Sequence, residues 1–235
     1  MTTEEIVVRT EGQVSVIRIG AGEFDALGAT LAAQAGATGR AFVISDETVW
    51  ALYGARLLAT LEQAEIQGRA TTVPAGEGTK SLAQAGALYD WLAAERAERR
   101  DPVIAVGGGV TGDLAGFVAA TYLRGVPLVQ APTTLLAMVD SAVGGKTGVN
   151  LAAGKNLVGA FYQAGIVAVD PALLATLPPR ELATGWAEVI KYAGFDRSVP
   201  GLEQPPLWPI LQERGADLRA LRDPVTTQVI AACLR

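Results

Sequence analysis

The stretch that most limits how this chain can fold is PVIAV at residues 102–106, an unbroken apolar run that passes directly into GGGVTGD at residues 107–113. A run that is apolar at every position, not at alternate ones, marks a strand covered on both faces, as in a parallel sheet. Parallel neighbours need crossover connections, and the flanking sequence supplies them. Residues 14–19 and 41–45 read as strands, and between them Phe24, Leu27, Leu31 and Ala35 recur at helical spacing. After Pro74 the apolar stripe Leu82, Ala85, Leu88, Tyr89 and Leu92 predicts a helix with Thr79 or Ser81 as N-cap. A further helix is expected to open at Asp113, and VPLVQAP (126–132) and IVAVD (166–170) predict two more strands. The fold class is therefore α/β, with a parallel sheet built from the first part of the chain.

The rhythm changes at LPPRE, residues 177–181, where two prolines interrupt it and only helical periodicity follows. This predicts an α/β domain over residues 1–178 and the beginning of an all-helical domain over 179–235. In the second part Leu182, Trp186, Val189, Ile190 and Ala193 form one stripe, residues 200–209 read as a proline-rich loop, and Asp223-Pro224 supplies N-cap and N1 of a last helix. Val225, Val229, Ile230 and Cys233 still mark an apolar face as the sequence reaches Arg235, with no capping Gly or Asn, so the helical domain is expected to be incomplete.

Composition narrows the function classes. The 19 basic residues are scattered among 24 acidic ones for a net charge of -5, which is no nucleic-acid footprint. The most apolar stretches are broken by Asp113, Arg124, Gln130 and Asp140, too soon for a membrane span. A lone cysteine, Cys233, and an acidic opening, MTTEE, fit a reducing cytoplasm. The absence of histidine removes Ser/His/Asp and Cys/His triads and every histidine-containing zinc site from what these 235 residues can build alone.

Three segments carry chemistry. Gly107, Gly109 and Gly112 satisfy G-x-G-x-x-G between a strand and a helix, where glycine lets backbone approach a pyrophosphate at the helix N-terminus; the alternative is a plain tight turn. The acid that a standard dinucleotide fold places about 20 residues on is replaced by APTT, and Asp46, ending the earlier strand, either takes that part or simply caps the next helix. GGKTG at residues 144–148 is no P-loop, because Asp140 stands where the motif needs glycine. The surrounding DSAVGGKTGVNLAAGKN nevertheless sets Asp140, Lys146, Asn150, Lys155 and Asn156 in small, apolar sequence, where lysines suit phosphate or carboxylate groups; ordinary solvated loop lysines are the alternative. Glu188 and Lys191, one helical turn apart, read locally as an exposed ion pair.

PAGEGTKS, GGGVTGDLAGFVAATYLRG, QAPTTLLAMVDSAVGGKTGVN, GKNLVGAFYQ and LPPRELATGWAEVIKYA, in this order, resemble the 3-dehydroquinate synthase family of the sugar-phosphate cyclase group. The resemblance implies a Rossmann-like NAD domain, with Asp46, Glu77 and Lys80 at the adenosine ribose. Gly108, Gly109, Val110, Gly112 and Asp113 would meet the pyrophosphate, with Thr133 and Thr134 beside it, and Leu173, Leu174 and Thr176 would complete the pocket. It further implies a catalytic, substrate-holding set of Arg124, Asp140, Lys146, Asn156 and Lys191, with Lys146 and Lys155 also close to cofactor. Glu188 becomes a ligand of a catalytic zinc or cobalt ion, which reverses its local reading. The substrate implied is 3-deoxy-D-arabino-heptulosonate 7-phosphate, cyclised to 3-dehydroquinate for aromatic amino acid biosynthesis by a soluble homodimer without nucleic-acid or membrane partners. Family members carry two further histidine ligands in a larger helical domain, so this chain alone is expected to be inactive. A related cyclase of the aminocyclitol type, a polyol dehydrogenase of the same fold and a non-catalytic NAD-binding module are the competing readings.

Overall fold

The computed structural model describes residues 3–10, 12–34, 39–195 and 207–235. Its first part contains β1 (Glu4–Thr10), β2 (Gln13–Ile19), α1 (Leu27–Ala32), β3 (Arg40–Asp46), α2 (Glu47–Gln63), β4 (Gln67–Val73), α3 (Leu82–Ala94), β5 (Val103–Gly107), α4 (Gly109–Thr121) and β6 (Leu128–Pro132). There follow β7 (Lys146–Leu151), β8 (Gly154–Phe161), β9 (Ile166–Val169), α5 (Pro179–Phe195), α6 (Leu207–Glu213), α7 (Gly215–Arg219) and α8 (Val225–Leu234). Seven strands make one sheet in the order β1-β2-β9-β6-β5-β3-β4, parallel except for β1, while β7 and β8 form a separate antiparallel hairpin.

The apolar runs become the centre of this sheet. Every residue of β5, β6 and β9 is buried, as are residues 41–45 of β3, and side chains from both faces join one core. The outer strands carry the polar residues: β1 presents Glu4, Glu5 and Arg9 on an edge, a composition that discourages further strand pairing.

Several boundaries differ from the sequence expectation. Helix α4 begins at Gly109, a turn earlier than Asp113, so that Asp113 lies inside the helix; nothing in a glycine-rich first turn obstructs the coil. The strand at 126–132 starts at Leu128, and Asp170 lies beyond β9, capping the short 3₁₀ turn Pro171–Thr176 through Ala172 N–H. Of the two candidate caps of α3, Ser81 accepts from Gln84 N–H and Thr79 does not cap. Ala35 and residues 200–206 lie outside the described residues, but Leu207–Glu213 is helical despite Pro209, because a first-turn residue needs no N–H. The last helix starts one residue later than expected, with Pro224 as N-cap, yet Asp223 still accepts from Thr227 N–H and Oγ1. In α5, Val189 and Ala193 are buried as expected whereas Ile190 is 52% exposed. Among the described residues no helix is long and apolar enough to cross a membrane.

Candidate functional site

From β3 the chain crosses to β4 on one side and then to β5 on the other, which makes β3/β5 the switch point of the parallel sheet. Loops leaving the C-terminal strand ends diverge there, and open α/β sheets place their ligand crevice at that point. A cleft of about 750 Å³ opens at this position, within the usual range of small-molecule sites. Its wall takes Asp46 from the end of β3, Gly76, Glu77 and Lys80 after β4, Gly108 to Thr111 and Asp113 after β5, Thr133 and Thr134 after β6, and Thr176 after β9.

The glycines fit close approach. A Cβ at Gly109 would stand 2.9 Å from Ser141 Oγ, and one at Gly112 would stand 2.9 Å from Gln130 Oε1. Gly112 thus serves helix-to-strand packing and does not line the cleft. Gly108, the N-cap of α4, brings no side chain to the helix end, which leaves its first N–H groups for a ligand. The capping reading of Asp46 holds, since Oδ1 accepts from Val49 N–H at 2.9 Å, while Oδ2 lies at the cleft wall and accepts from Thr111 Oγ1 at 3.4 Å.

A second cavity of about 470 Å³ adjoins the first; Asp113, Asp140, Ser141 and Asn156 line both. Its far wall is the hairpin, with Lys146 and Thr147 on β7 and Phe161 on β8. Two of the shared residues are held by Lys80, which lines the first cavity and whose side chain is 5% exposed. Its ammonium donates to Asp113 Oδ2 and, at 2.5 Å, to Asn156 Oδ1, tying α4 to the hairpin. Burial pushes the Asp113 carboxyl above its ordinary range, an effect the Lys80 contact opposes. Glu77 goes the other way: donation from Asn150, helped by Lys155 and Lys80, holds its carboxyl low.

Asp140 and Ser141 reach the cavities because residues 137–141 form a π-turn, closed by Ala142 N–H donating to Ala137 O at 3.1 Å. Asp140 lies against α5, where it faces Lys191 and Tyr192; burial and then Asp140 push the Tyr192 hydroxyl up to about 12. Glu188 is not an exposed carboxylate as read locally: its side chain is 16% exposed, its Oε1 is buried, and it contacts the Lys191 ammonium. That contact raises Lys191 above its ordinary value. A carboxylate in this setting can serve as one metal ligand. Among the described residues, however, no three His, Cys, Asp or Glu side chains are grouped to hold an ion, and a catalytic zinc takes three protein ligands.

Leu173, Leu174 and Arg124 are not brought to either cavity. Leu173 and Leu174 point into the core at 1% exposure, because the 3₁₀ turn directs both inward, and only Thr176 of this segment lines the cleft. Arg124 sits past the C-terminal end of α4, roughly 20 Å from the glycine turn at 1.5 Å per residue, and lines neither cavity. Lys155, by contrast, does line the first cavity; it is largely exposed and pairs with Glu77 at 3.5 Å. Conversely, sequence reasoning passed over Tyr53, whose hydroxyl fixes the 3₁₀ turn through Leu173 O and Thr176 Oγ1, and Ser141, whose buried Oγ has no partner among the described residues.

Residues 70–184 match the family model for the 3-dehydroquinate synthase N-terminal domain. A 3-dehydroquinate synthase of Symbiobacterium thermophilum is 55% identical over 176 residues, which cover 75% of this chain and 49% of that protein. Among solved structures, 2-epi-5-epi-valiolone synthase of Streptomyces hygroscopicus with NAD+ and Zn2+ bound is 31% identical, with a TM-score of 0.77 over 97% of this chain and 60% of that one. A 2-deoxy-scyllo-inosose synthase complexed with carbaglucose-6-phosphate, NAD+ and Co2+ is 26% identical, with a TM-score of 0.82 over 99% of this chain and 61% of that one. The fold is the α/β class that sugar-phosphate cyclases share with iron-containing alcohol and glycerol dehydrogenases, and the more similar of these structures are the cyclases. The chain spans about half the length of the curated relatives it matches. Within the class, it belongs to the 3-dehydroquinate synthase family.

Proposed function

We propose that this chain is the cofactor-binding part of a 3-dehydroquinate synthase, which converts 3-deoxy-D-arabino-heptulosonate 7-phosphate to 3-dehydroquinate and phosphate. The observation that supports this best is the joined pair of cavities: a glycine-opened helix end at the switch point faces a lysine-bearing hairpin, so a dinucleotide and a phosphorylated substrate can lie side by side. Identity of 55% to a 3-dehydroquinate synthase, against 26–31% to the two other cyclases, favours this member of the class.

When NAD is bound, the chemistry it supplies is reversible acceptance of hydride from the substrate's C5 carbinol, without net oxidation. The first-turn N–H groups of α4 donate to its diphosphate, Asp46 and Glu77 accept from ribose hydroxyls, and Thr133 and Thr134 flank it. Lys80 keeps Asp113 and Asn156 in register between the two cavities. Lys146, Asn156 and Asp140 hold the substrate across the second cavity, with Lys191 reaching it from α5, so that the leaving phosphate meets positive charge. Zinc or cobalt is the second cofactor in this reading, supported by the two related structures, with Glu188 as this chain's candidate ligand; one carboxylate is short of the three protein ligands a catalytic zinc takes. We take residues 1–178 as the NAD domain and 179–235 as the start of the helical one. Homodimerisation rests on the family resemblance, and a cytoplasmic location on the single cysteine.

The test is phosphate release from the heptulosonate phosphate by the full gene product with NAD and zinc or cobalt, beside NAD titration of this 235-residue chain. Release without accumulating NADH, and saturable NAD binding by the chain, support the reading. NADH accumulation without phosphate would reassign the protein to the polyol dehydrogenases, and binding without turnover by the full product to a non-catalytic module.

A further inference from the structure

Asn150 lines neither cavity, yet two segments that carry proposed ligand contacts, residues 77–81 and the start of β8, meet on it. Its Nδ2 donates to Glu77 Oε1 at 2.7 Å, and its Oδ1 accepts from Asn156 N–H at 2.9 Å. Its own N–H donates to Lys80 O at 2.8 Å, and the same backbone makes an isolated parallel bridge to Ser81. The hairpin is thereby fastened to the segment that follows β4, and one amide holds both the Glu77 side chain and the Asn156 backbone.

Each bond answers a specific need. Glu77 is half-exposed, and a carboxylate on a short 3₁₀ turn keeps many rotamers unless a donor fixes one. Lys155, the other cation beside Glu77, is mostly in solvent and holds it weakly, so the Asn150 amide is the ordered partner. Asn156 has φ of 57°, a left-handed conformation that non-glycine residues adopt at a cost, and the Asn150 carbonyl stabilises it by taking its N–H. In this conformation Asn156 Oδ1 meets the buried Lys80 ammonium.

We propose that Asn150 is the positioning residue of the cleft, presetting the Glu77 carboxylate for the adenosine ribose while seating the hairpin against Lys80. Cofactor affinity and hairpin placement are then one coupled quantity. The inference rests on the dinucleotide reading above and deepens it.

Two variants test the amide donor. Asn150→Ala removes both side-chain bonds, while Asn150→Asp keeps an acceptor for Asn156 N–H and sets a like charge against Glu77. The probes are NAD+, AMP and inorganic pyrophosphate, titrated calorimetrically against the protein, with thermal unfolding as a control for folding. Loss of one hydrogen bond to a charged group corresponds to about tenfold in affinity. Both variants are expected to bind NAD+ and AMP about tenfold more weakly than the parent, with pyrophosphate unchanged because it needs only the α4 end. Parent-like AMP binding by Asn150→Asp would overturn the role assigned to the amide donor. Equal weakening toward all three probes would also overturn it, as general damage to the cleft. Failure of the parent itself to bind NAD+ and AMP would overturn the dinucleotide reading, and the inference with it.

Discussion

Asp170 shows how one side chain can couple pH to the placement of a cleft wall. It is fully buried at the end of β9, accepts from Gly22 N–H at 3.0 Å, Phe24 N–H at 3.3 Å and Ala172 N–H at 3.0 Å, and so fixes the 3₁₀ turn that carries Thr176. Burial raises its carboxyl above the ordinary 3.8, although those N–H groups and Arg56 oppose the shift. An acid whose folded value is raised binds its proton more readily in the native state, so its stability contribution falls as pH rises from 3.8 through the folded value. Asp170→Asn offers one acceptor oxygen instead of two and is expected to cost about 1–3 kcal/mol. The gap between parent and variant should widen toward acid pH, as urea unfolding from pH 7 to 4 would record; a gap that narrows would contradict the sign. Sequence reading found the chemistry at this scale unevenly. The capping role of Asp46 was legible because a polar residue ending an apolar strand has few uses. Ser141 had no signal, since only the π-turn aims it, and the two leucines of the 3₁₀ turn went astray because resemblance gives a position without a direction.

At the scale of elements, the hairpin is the part least legible in sequence. The central strands announce themselves as continuous apolar runs, whereas KTGVNL and GKNLVGAF mix glycine, lysine and asparagine without clean alternation. Their pairing depends on close backbone approach. Gly148 faces Gly159, and a Cβ on Gly159 would fall 2.1 Å from Thr147 O. Helix α4 presses on the same spot, with a Cβ on Gly116 meeting Thr147 Cγ2 at 2.5 Å. Gly159→Ala is therefore expected to destabilise by about 1–3 kcal/mol, as overpacking does, and to weaken nucleotide binding through the displaced hairpin. Gly86, inside α3 with open space around its missing Cβ, is the counterexample. Gly86→Ala should stabilise by about 0.5–1 kcal/mol and leave binding untouched. Melting temperatures that move the same way for both variants would contradict this account.

For the whole molecule, the α/β class, the central strands and the change of texture near residue 178 were readable, because a buried parallel sheet leaves little freedom in composition. Strand order was not readable, since periodicity says which residues are buried but not against whom. The order found places β9 between β2 and β6, so the first two strands reach the rest of the sheet only through Ile166–Val169. A chain made from its N-terminus must therefore hold β1 and β2 in waiting until nearly three-quarters of these residues have been synthesised. Non-local pairing of this kind is slow to form. Until Ile166 emerges, β2 and β6 each keep an open edge, and such edges recruit other chains. Ribosome-stalled chains ending before that residue are expected to be protease-sensitive and chaperone-bound, and those extending well past Val169 to be resistant. The strand that completes the sheet thus also sets the earliest moment at which the newborn protein can protect itself.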